Sequence, residues 1–215
     1  MAFPRGRRRR QRHRCPPRGP RMLPIFAFVL APVPIIALPQ PPAQVRQNYH
    51  RDCEIAVNNL IQLQLYASYV YLSLAFYCDR HDVNLKNFSR FFLRRSHEWT
   101  DATEKLLWMQ NERGGRFALR RITKPDRDDW HCGLMAMECS LYLEMTITES
   151  FVELYQLAIS KSDPHLYNFV KRHCLRPQMK NVEQVANFLT ELREKKNGMN
   201  EYLFDKHVLG NMNED

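Results

Sequence analysis

The chain has 215 residues, of which 44% are hydrophobic, so it can bury one sizeable core and a single domain is the default. Its formal net charge is +9, but residues 1–43 hold nine arginines and no acidic residue, and the rest of the chain holds 23 basic and 23 acidic side chains. The excess charge therefore belongs to the first segment alone. The main body gives no electrostatic reason to predict nucleic-acid binding.

The cysteine pattern bears on the redox compartment. No two of the six cysteines form a CxxC pair, and they occur at Cys15, Cys53, Cys78, Cys132, Cys139 and Cys174. Their placement inside helical patterns favours free, buried thiols in a reducing compartment.

Residues 1–43 differ in composition from everything after them. An Arg-rich run precedes MLPIFAFVLAPVPIIALP, which is apolar but is too short and too often interrupted by proline for a membrane-spanning helix. The lack of acids fits a transit peptide, although the segment has no serine, and the basic run before an apolar stretch fits a secretory signal. Three interpretations stay open: a cleaved or disordered leader, an untranslated extension of the gene model, and an arm that binds nucleic acid or an import receptor.

From residue 48 onward the hydrophobic pattern is helical almost without interruption, and no strand is predicted. A first helix is expected from a cap at Asp52 to about Cys78. A second is expected from about Leu85 to Arg113, ended by the glycine pair at 114–115.

A long connection over residues 116–127 follows, and it lets the next helix run parallel to the second one. Asp128 is expected to cap the third helix, and Pro164 has the first position of the fourth. The three remaining helices span about 128–161, 164–196 and 201–209. The predicted fold is all-α, a four-helix bundle with a long crossover and a short fifth helix.

Three of the long helices carry one polar residue in the middle of an otherwise apolar inward row, namely Gln64, Glu144 and Gln178. A buried carboxylate without a partner is costly, so Glu144 needs a cation, a hydrogen-bond network or water. Tyr71, two turns after Gln64, is one candidate partner. The alternative is that these residues are polar core residues bonded to one another.

The inward row of the second helix reads Phe88, Phe92, Arg95, Trp99, Ala102, Leu106 and Met109. In a four-helix bundle with a di-iron site, such a row supplies a Glu and, three residues later, a His. Here Trp99 and Ala102 have those two positions. The sequence therefore predicts the scaffold of a metal site that lacks several of its ligands.

Seven segments carry a family resemblance: QVRQNYHRDCE, LYASYVYLSLAFY, LKNF, EKLLWMQNERGG, DDWHCGLMAMEC, DPHL and EYLFDKHVLG. In this order and spacing they resemble the heavy chain of animal ferritin over about residues 44–210. The resemblance implies a ferritin-like four-helix bundle that assembles into a hollow 24-subunit shell storing ferric oxyhydroxide. Residues 44–215 would form this ferritin-like domain, with 1–43 as its leader.

The resemblance also implies a damaged ferroxidase centre. Tyr71, Glu98, Glu144 and Gln178 match the family's residues. The family's Glu, bridging Glu and His are replaced by Gln64, Trp99 and Ala102, which leaves Gln64, Glu98, Glu144 and Gln178 as candidate iron ligands and no catalytic residue. One carboxylate cannot balance two ferrous ions, so we expect an inactive site. Restoring Glu at 64 and 99 and His at 102 is expected to restore oxidation.

Three further surfaces follow from the resemblance. The family's light chain nucleates mineral on an acidic face of the second helix, and Glu98, Asp101 and Glu104 keep such a face here. The acidic pair at the family's three-fold pore is replaced by Asn168 and Lys171, with Arg172 beside them, and we expect cations to be repelled there. At the four-fold axis, Leu203 and His207 match the family.

The expected function is a catalytically silent iron-storage subunit that binds iron weakly or as mineral and assembles with itself or with other ferritin heavy or light chains. An active ferroxidase is the alternative, and a nuclear relative that binds nucleic acid is a weaker one. We expect a cytoplasmic location, or a mitochondrial one if residues 1–43 act as a transit peptide, and no membrane partner.

Overall fold

The computed structural model describes residues 46–125, 129–194 and 200–211, and within these ranges it is helical with no strand. The helices are α1 (Arg51–Asp79), α2 (Lys86–Glu112), α3 (Gly133–Ser160), α4 (Pro164–Phe169), α5 (Arg176–Glu194) and α6 (Asn200–His207). A π-helical segment, Val170–Leu175, joins α4 to α5, so these three pieces form one long helix. The predicted four-helix bundle with a short additional helix is confirmed.

Helices α1 and α2 form a hairpin with an extensive interface, and α3 packs against α5. The predicted cap of α1 is wrong by two residues, because the His50 side chain accepts the hydrogen bond from the Asp52 backbone N–H. The carboxylate of Asp52 instead pairs with Lys161 Nζ at 2.7 Å. This ion pair ties the start of α1 to the end of α3.

The sequence predicted a long connection after α2, and the described part of it, up to residue 125, runs along the surface of α1. Gly114 ends α2 with φ of 69°, a left-handed conformation that glycine adopts without steric cost. The Glu54 carboxylate then accepts from the Arg116 backbone N–H at 2.7 Å, and Asn58 bonds the backbone of Arg116 and Ala118. These bonds fix a segment that has no regular structure of its own.

The start of α3 differs from the prediction. The helix begins at Gly133, later than the expected start near Asp128, which itself lies outside the described residues. No side chain of the neighbouring sequence caps it. The acceptor comes from α6, where the Glu201 carboxylate takes bonds from the Gly133 and Leu134 backbone N–H groups at 3.2 and 3.0 Å.

Helix α6 serves the start of α2 in the same way. Asp205 is fully buried, and its Oδ1 accepts from the Asn87 and Phe88 backbone N–H groups at 2.8 and 2.9 Å. Phe204 meanwhile packs against Phe88, with ring centroids 5.6 Å apart. One short helix therefore supplies carboxylates to the positive ends of two long helices.

The cysteines divide into two groups. Cys53, Cys78, Cys139 and Cys174 are free and buried, as predicted. Burial raises the pKa of the Cys174 thiol from 9.0 to about 12, which keeps it protonated and unreactive at neutral pH. The prediction is wrong for Cys132, which is disulfide-bonded. Cys15 lies outside the described residues.

Among the described helices none is both long and apolar enough to cross a membrane. Residues 1–45 are outside the described part of the chain, so the three interpretations of the leader and the predicted compartment stay predictions.

Candidate functional site

The site is built around Glu144, which projects from the middle of α3 and is completely buried. Both of its carboxylate oxygens have protein partners. Oε1 accepts from Tyr71 of α1 and from Arg95 of α2, both at 2.5 Å, and Oε2 accepts from Gln178 of α5 at 2.6 Å. The four long helices thus each contribute one side chain to a single polar centre.

Arg95 supplies the cation that a buried carboxylate requires. Its side chain is only 4% exposed, and it joins Glu144 through one terminal nitrogen and Glu98 through the other, at 2.5 and 2.6 Å. Burial is the largest single effect and would lower the pKa of Arg95, but the charge and hydrogen bond of Glu144, together with Tyr71 and Glu98, outweigh it, so the pKa lies above its ordinary value. The guanidinium is therefore permanently charged and holds two carboxylates at once.

Tyr71 and Gln178 complete the shell around Glu144. The Tyr71 hydroxyl donates to Glu144 and also lies 2.7 Å from Ser140 Oγ. Burial, and then the Glu144 charge, raise the pKa of Tyr71 well above its ordinary value, so the hydroxyl stays a donor. Gln178 Nε2 reaches both the Glu144 carboxylate and its backbone carbonyl, the latter at 3.0 Å. It lies on the first turn after the π-helical segment.

The positions at which the resemblance implies that this chain has lost ligands lie next to this centre. Gln64 is buried and accepts a hydrogen bond from Thr103 at 3.3 Å, and it is not among the described residues that hydrogen-bond to the Glu144 carboxylate. Trp99 is buried and packs against Phe151, with ring centroids 6.3 Å apart. Its indole thus fills volume where the resemblance implies a carboxylate ligand.

A cavity of about 300 Å³ opens beside these residues. Its walls bring together the predicted positions Gln64, Glu98, Trp99, Ala102 and Gln178, while Glu144 lies behind Arg95. The helical rows therefore converge on one place, but that place contains a side-chain cation and an indole. Within the described ranges, no three His, Cys, Asp or Glu side chains are close enough together to hold a metal ion.

The donor set does not fit a pair of ferrous ions. Such a pair needs several anionic and imidazole ligands with free lone pairs. Here the lone pairs of Glu144 are used by Arg95, Tyr71 and Gln178, and the Glu98 carboxylate is paired with the same arginine. The arrangement is a closed network of charge-assisted hydrogen bonds.

The other predicted surface residues lie apart from this network. Asp101 and Glu104 are exposed on α2, whereas Glu98 on the same face is tied to Arg95 and lies 3.8 Å from Arg94. Asn168, Lys171 and Arg172 are exposed around the junction of α4 and the π-helical segment. Leu203 and His207 are exposed on α6.

Sequence reasoning missed the role of Arg95. It identified Arg95 in the inward row of α2 and separately stated that Glu144 needs a cation, but it did not join the two. The signal was present, because an arginine in an apolar row must find an anion.

The profile of the ferritin-like domain family matches residues 55–195. This match covers most of the chain and includes every residue of the network around Glu144. Together with the all-helical bundle, it shows that the chain belongs to the ferritin family.

Proposed function

We propose that this chain is a catalytically silent subunit of an iron-storing ferritin shell of 24 subunits, in which it assembles with other ferritin heavy or light chains. The observation that carries the proposal is the ion pair between Arg95 and Glu144. In this reading, a side chain of the protein stands where the family's active subunits bind their substrate iron.

The chemical reason is charge balance. A ferrous pair brings four positive charges and must displace Arg95 from Oε1 of Glu144, while Oε2 is held by Gln178. Displacement would leave the guanidinium buried beside Tyr71 and Trp99 with Glu98, which is half exposed, as its remaining anion, and the loss of the buried pair costs several kcal/mol. Oxidation of iron at this centre is therefore unfavourable for two reasons. The carboxylate oxygens are already occupied, and a buried guanidinium would lose an anionic partner.

An exposed apolar face on α1 supports assembly with other subunits. Tyr69, Leu72 and Phe76 are 47%, 39% and 61% exposed, and with Lys124 and Pro125 of the connection they line one shallow groove. Contiguous apolar surface of this kind marks protein interfaces. A neighbouring subunit would bury it.

Storage would rest on the acidic face of α2. Asp101 and Glu104 keep exposed carboxylates there, and both are free of ion pairs within the described residues. Glu98 contributes less, because Arg95 partly neutralises it. Iron is then cargo held as mineral, and the chain adds cavity wall to a shell whose oxidation is done by other subunits.

The test is oxygen consumption by the purified homopolymer after addition of ferrous iron. We expect a rate close to that of buffer. A matched Glu144→Ala variant should give the same low rate. Rapid oxidation by the parent that Glu144→Ala abolishes would show an active ferroxidase and overturn the proposal.

A further inference from the structure

The solvent face of α3 carries a regular row of exposed side chains. Met145, Val152 and Ile159 are spaced seven residues apart and are 50%, 39% and 52% exposed. Three side chains alternate with them at spacings of three and four: Tyr142, Glu149 and Gln156. The spacing of three and four is that of a coiled-coil seam, and the face extends for about 26 Å along the helix. Only the row of Met145, Val152 and Ile159 is apolar throughout, because the alternate row contains Glu149 and Gln156.

Uncompensated negative charge lies along the same face. Helix α3 contains four glutamates and no Lys, Arg or His. Arg95 neutralises Glu144, and Arg193 pairs with Glu138 at 2.8 Å. Glu149 and Glu153 are exposed, and neither forms an ion pair with any described residue.

The combination of spacing and charge identifies the kind of partner. A second copy related by a two-fold axis would place the acidic row against itself, which is unfavourable. A basic amphipathic helix would bury the apolar row and neutralise both carboxylates. The exposed Met145 side chain suits such contacts because the unbranched thioether adapts to its neighbours.

We propose that this face of α3 binds an amphipathic helix of a partner protein, with apolar residues at its a and d positions and Lys or Arg opposite Glu149 and Glu153. The interaction needs neither iron nor oxidation. It therefore goes beyond the storage function and is tested separately from it.

The test uses the full chain and two labelled synthetic peptides of three heptads. Both have leucine at a and d, and they differ only in carrying Lys or Glu at the flanking e and g positions. Fluorescence anisotropy should show saturable binding of the Lys peptide, and binding of the Glu peptide that is about tenfold weaker or more. Equal binding of the two peptides, or no saturable binding of either, would overturn the proposal.

Two variants make the result specific to α3. Glu149→Lys with Glu153→Lys should reverse the preference, so that the Glu peptide binds more tightly. Val152→Lys should weaken binding of the Lys peptide. Because all three residues are exposed, the fold should persist, and circular dichroism checks this. The matched controls, Glu191→Lys and Met179→Lys on α5, replace exposed residues of another helix and should leave both affinities unchanged.

Sedimentation of the same variants decides between a partner helix and a second copy. We expect the double lysine variant to have the parent's oligomeric size. A change of size, or an equal loss of peptide binding in the controls, would show that the face is covered by another subunit or that peptide binding is unspecific, and either result refutes the proposal.

Discussion

Arg95 is the residue on which the charge balance of the buried centre depends. Its guanidinium satisfies a carboxylate on α3 and another on its own helix while remaining almost fully buried. Its Nε, however, has no hydrogen-bond partner among the described residues. The charge balance of the centre thus rests on two terminal nitrogens, and changes at this position should have large effects.

We predict that Arg95→Met lowers the free energy of unfolding by about 3–5 kcal/mol, because it leaves Glu144 buried without a cation. Adding Glu144→Gln should recover a large part of this loss, since the neutral amide needs no counter-charge. Urea unfolding at fixed protein concentration measures both effects.

Arg94→Met is the matched control, because Arg94 directly precedes Arg95 in the same helix and is exposed. It should change stability by less than about 0.5 kcal/mol. If Arg95→Met matched this control, or if the second substitution recovered nothing, Arg95 and Glu144 would not be energetically coupled.

The structure also changes what is needed to restore oxidation. We predict that Gln64→Glu, Trp99→Glu and Ala102→His together stay near the background rate, because Arg95 still uses the lone pairs of Glu144. Adding Arg95→Gln should produce oxygen-consuming oxidation with about two irons bound per subunit. Oxygen electrode traces and metal analysis of the triple and quadruple variants check this.

Glu144→Ala in the quadruple background should abolish the gain. A triple variant that already oxidises iron rapidly would show that incoming metal displaces Arg95 easily. That outcome would contradict the role assigned to the ion pair.

At the scale of elements, α6 holds two other helices in place. Its acidic residues Glu201 and Asp205 are one turn apart and accept from the first backbone N–H groups of α3 and α2. Four otherwise unpaired donors are satisfied in this way. Loss of α6 would therefore affect both helix starts.

We predict that Asp205→Ala destabilises the fold by about 2 kcal/mol, because two backbone donors and the Asn87 side chain lose a buried acceptor. Hydrogen exchange should speed up at the Asn87 and Phe88 amides. Tyr202→Ala is the control, since this exposed residue of the same helix contributes no acceptor to α2. Unchanged exchange at the two amides in Asp205→Ala would contradict the prediction.

The role of these two carboxylates could not be predicted from the sequence, because they act on helix starts that are distant along the chain. Helix existence, order and most ends followed from periodicity, the glycine pair and Pro164, all of which are local signals. The start of α3 did not, because its acceptor is Glu201, more than sixty residues away in sequence. The π-helical segment gave no local signal either.

The site shows the same limit. Gln64, Trp99, Ala102 and Gln178, which the helical rows place on inward faces, line one cavity, whereas Glu144 does not line it. It did not reveal the pairing of Arg95 with Glu144, since that contact joins two helices whose relative rotation is set by tertiary packing. Inward rows predict which residues meet, but they do not predict which charges pair.

At the scale of the whole molecule, the proposed shell makes surface charge matter through symmetry. Any residue near a three-fold axis is present three times, so Lys171 and Arg172 would create a strongly positive ring. Such a ring opposes its own assembly and favours shells that also contain acidic subunits.

We predict that Lys171→Glu with Asn168→Asp speeds mineralisation in mixed shells formed with an active heavy chain, because the pore then attracts ferrous ions. Lys180→Glu, an exposed charge reversal on α5, is the control and should have no such effect. Initial mineralisation rates at equal subunit ratio measure the difference. Equal rates for parent and pore variant would mean that iron enters elsewhere.

The ion pair between Arg95 and Glu144 has one more consequence, which concerns the availability of iron in the cell. A bound metal stabilises a fold only while its free concentration exceeds its dissociation constant, so an iron-liganded core weakens when the cell is depleted. Arg95 is covalently part of the chain, and its local concentration never falls. Under the proposed storage function, the bundle would keep the same core in iron starvation and in iron excess, and the shell would form before any iron arrives.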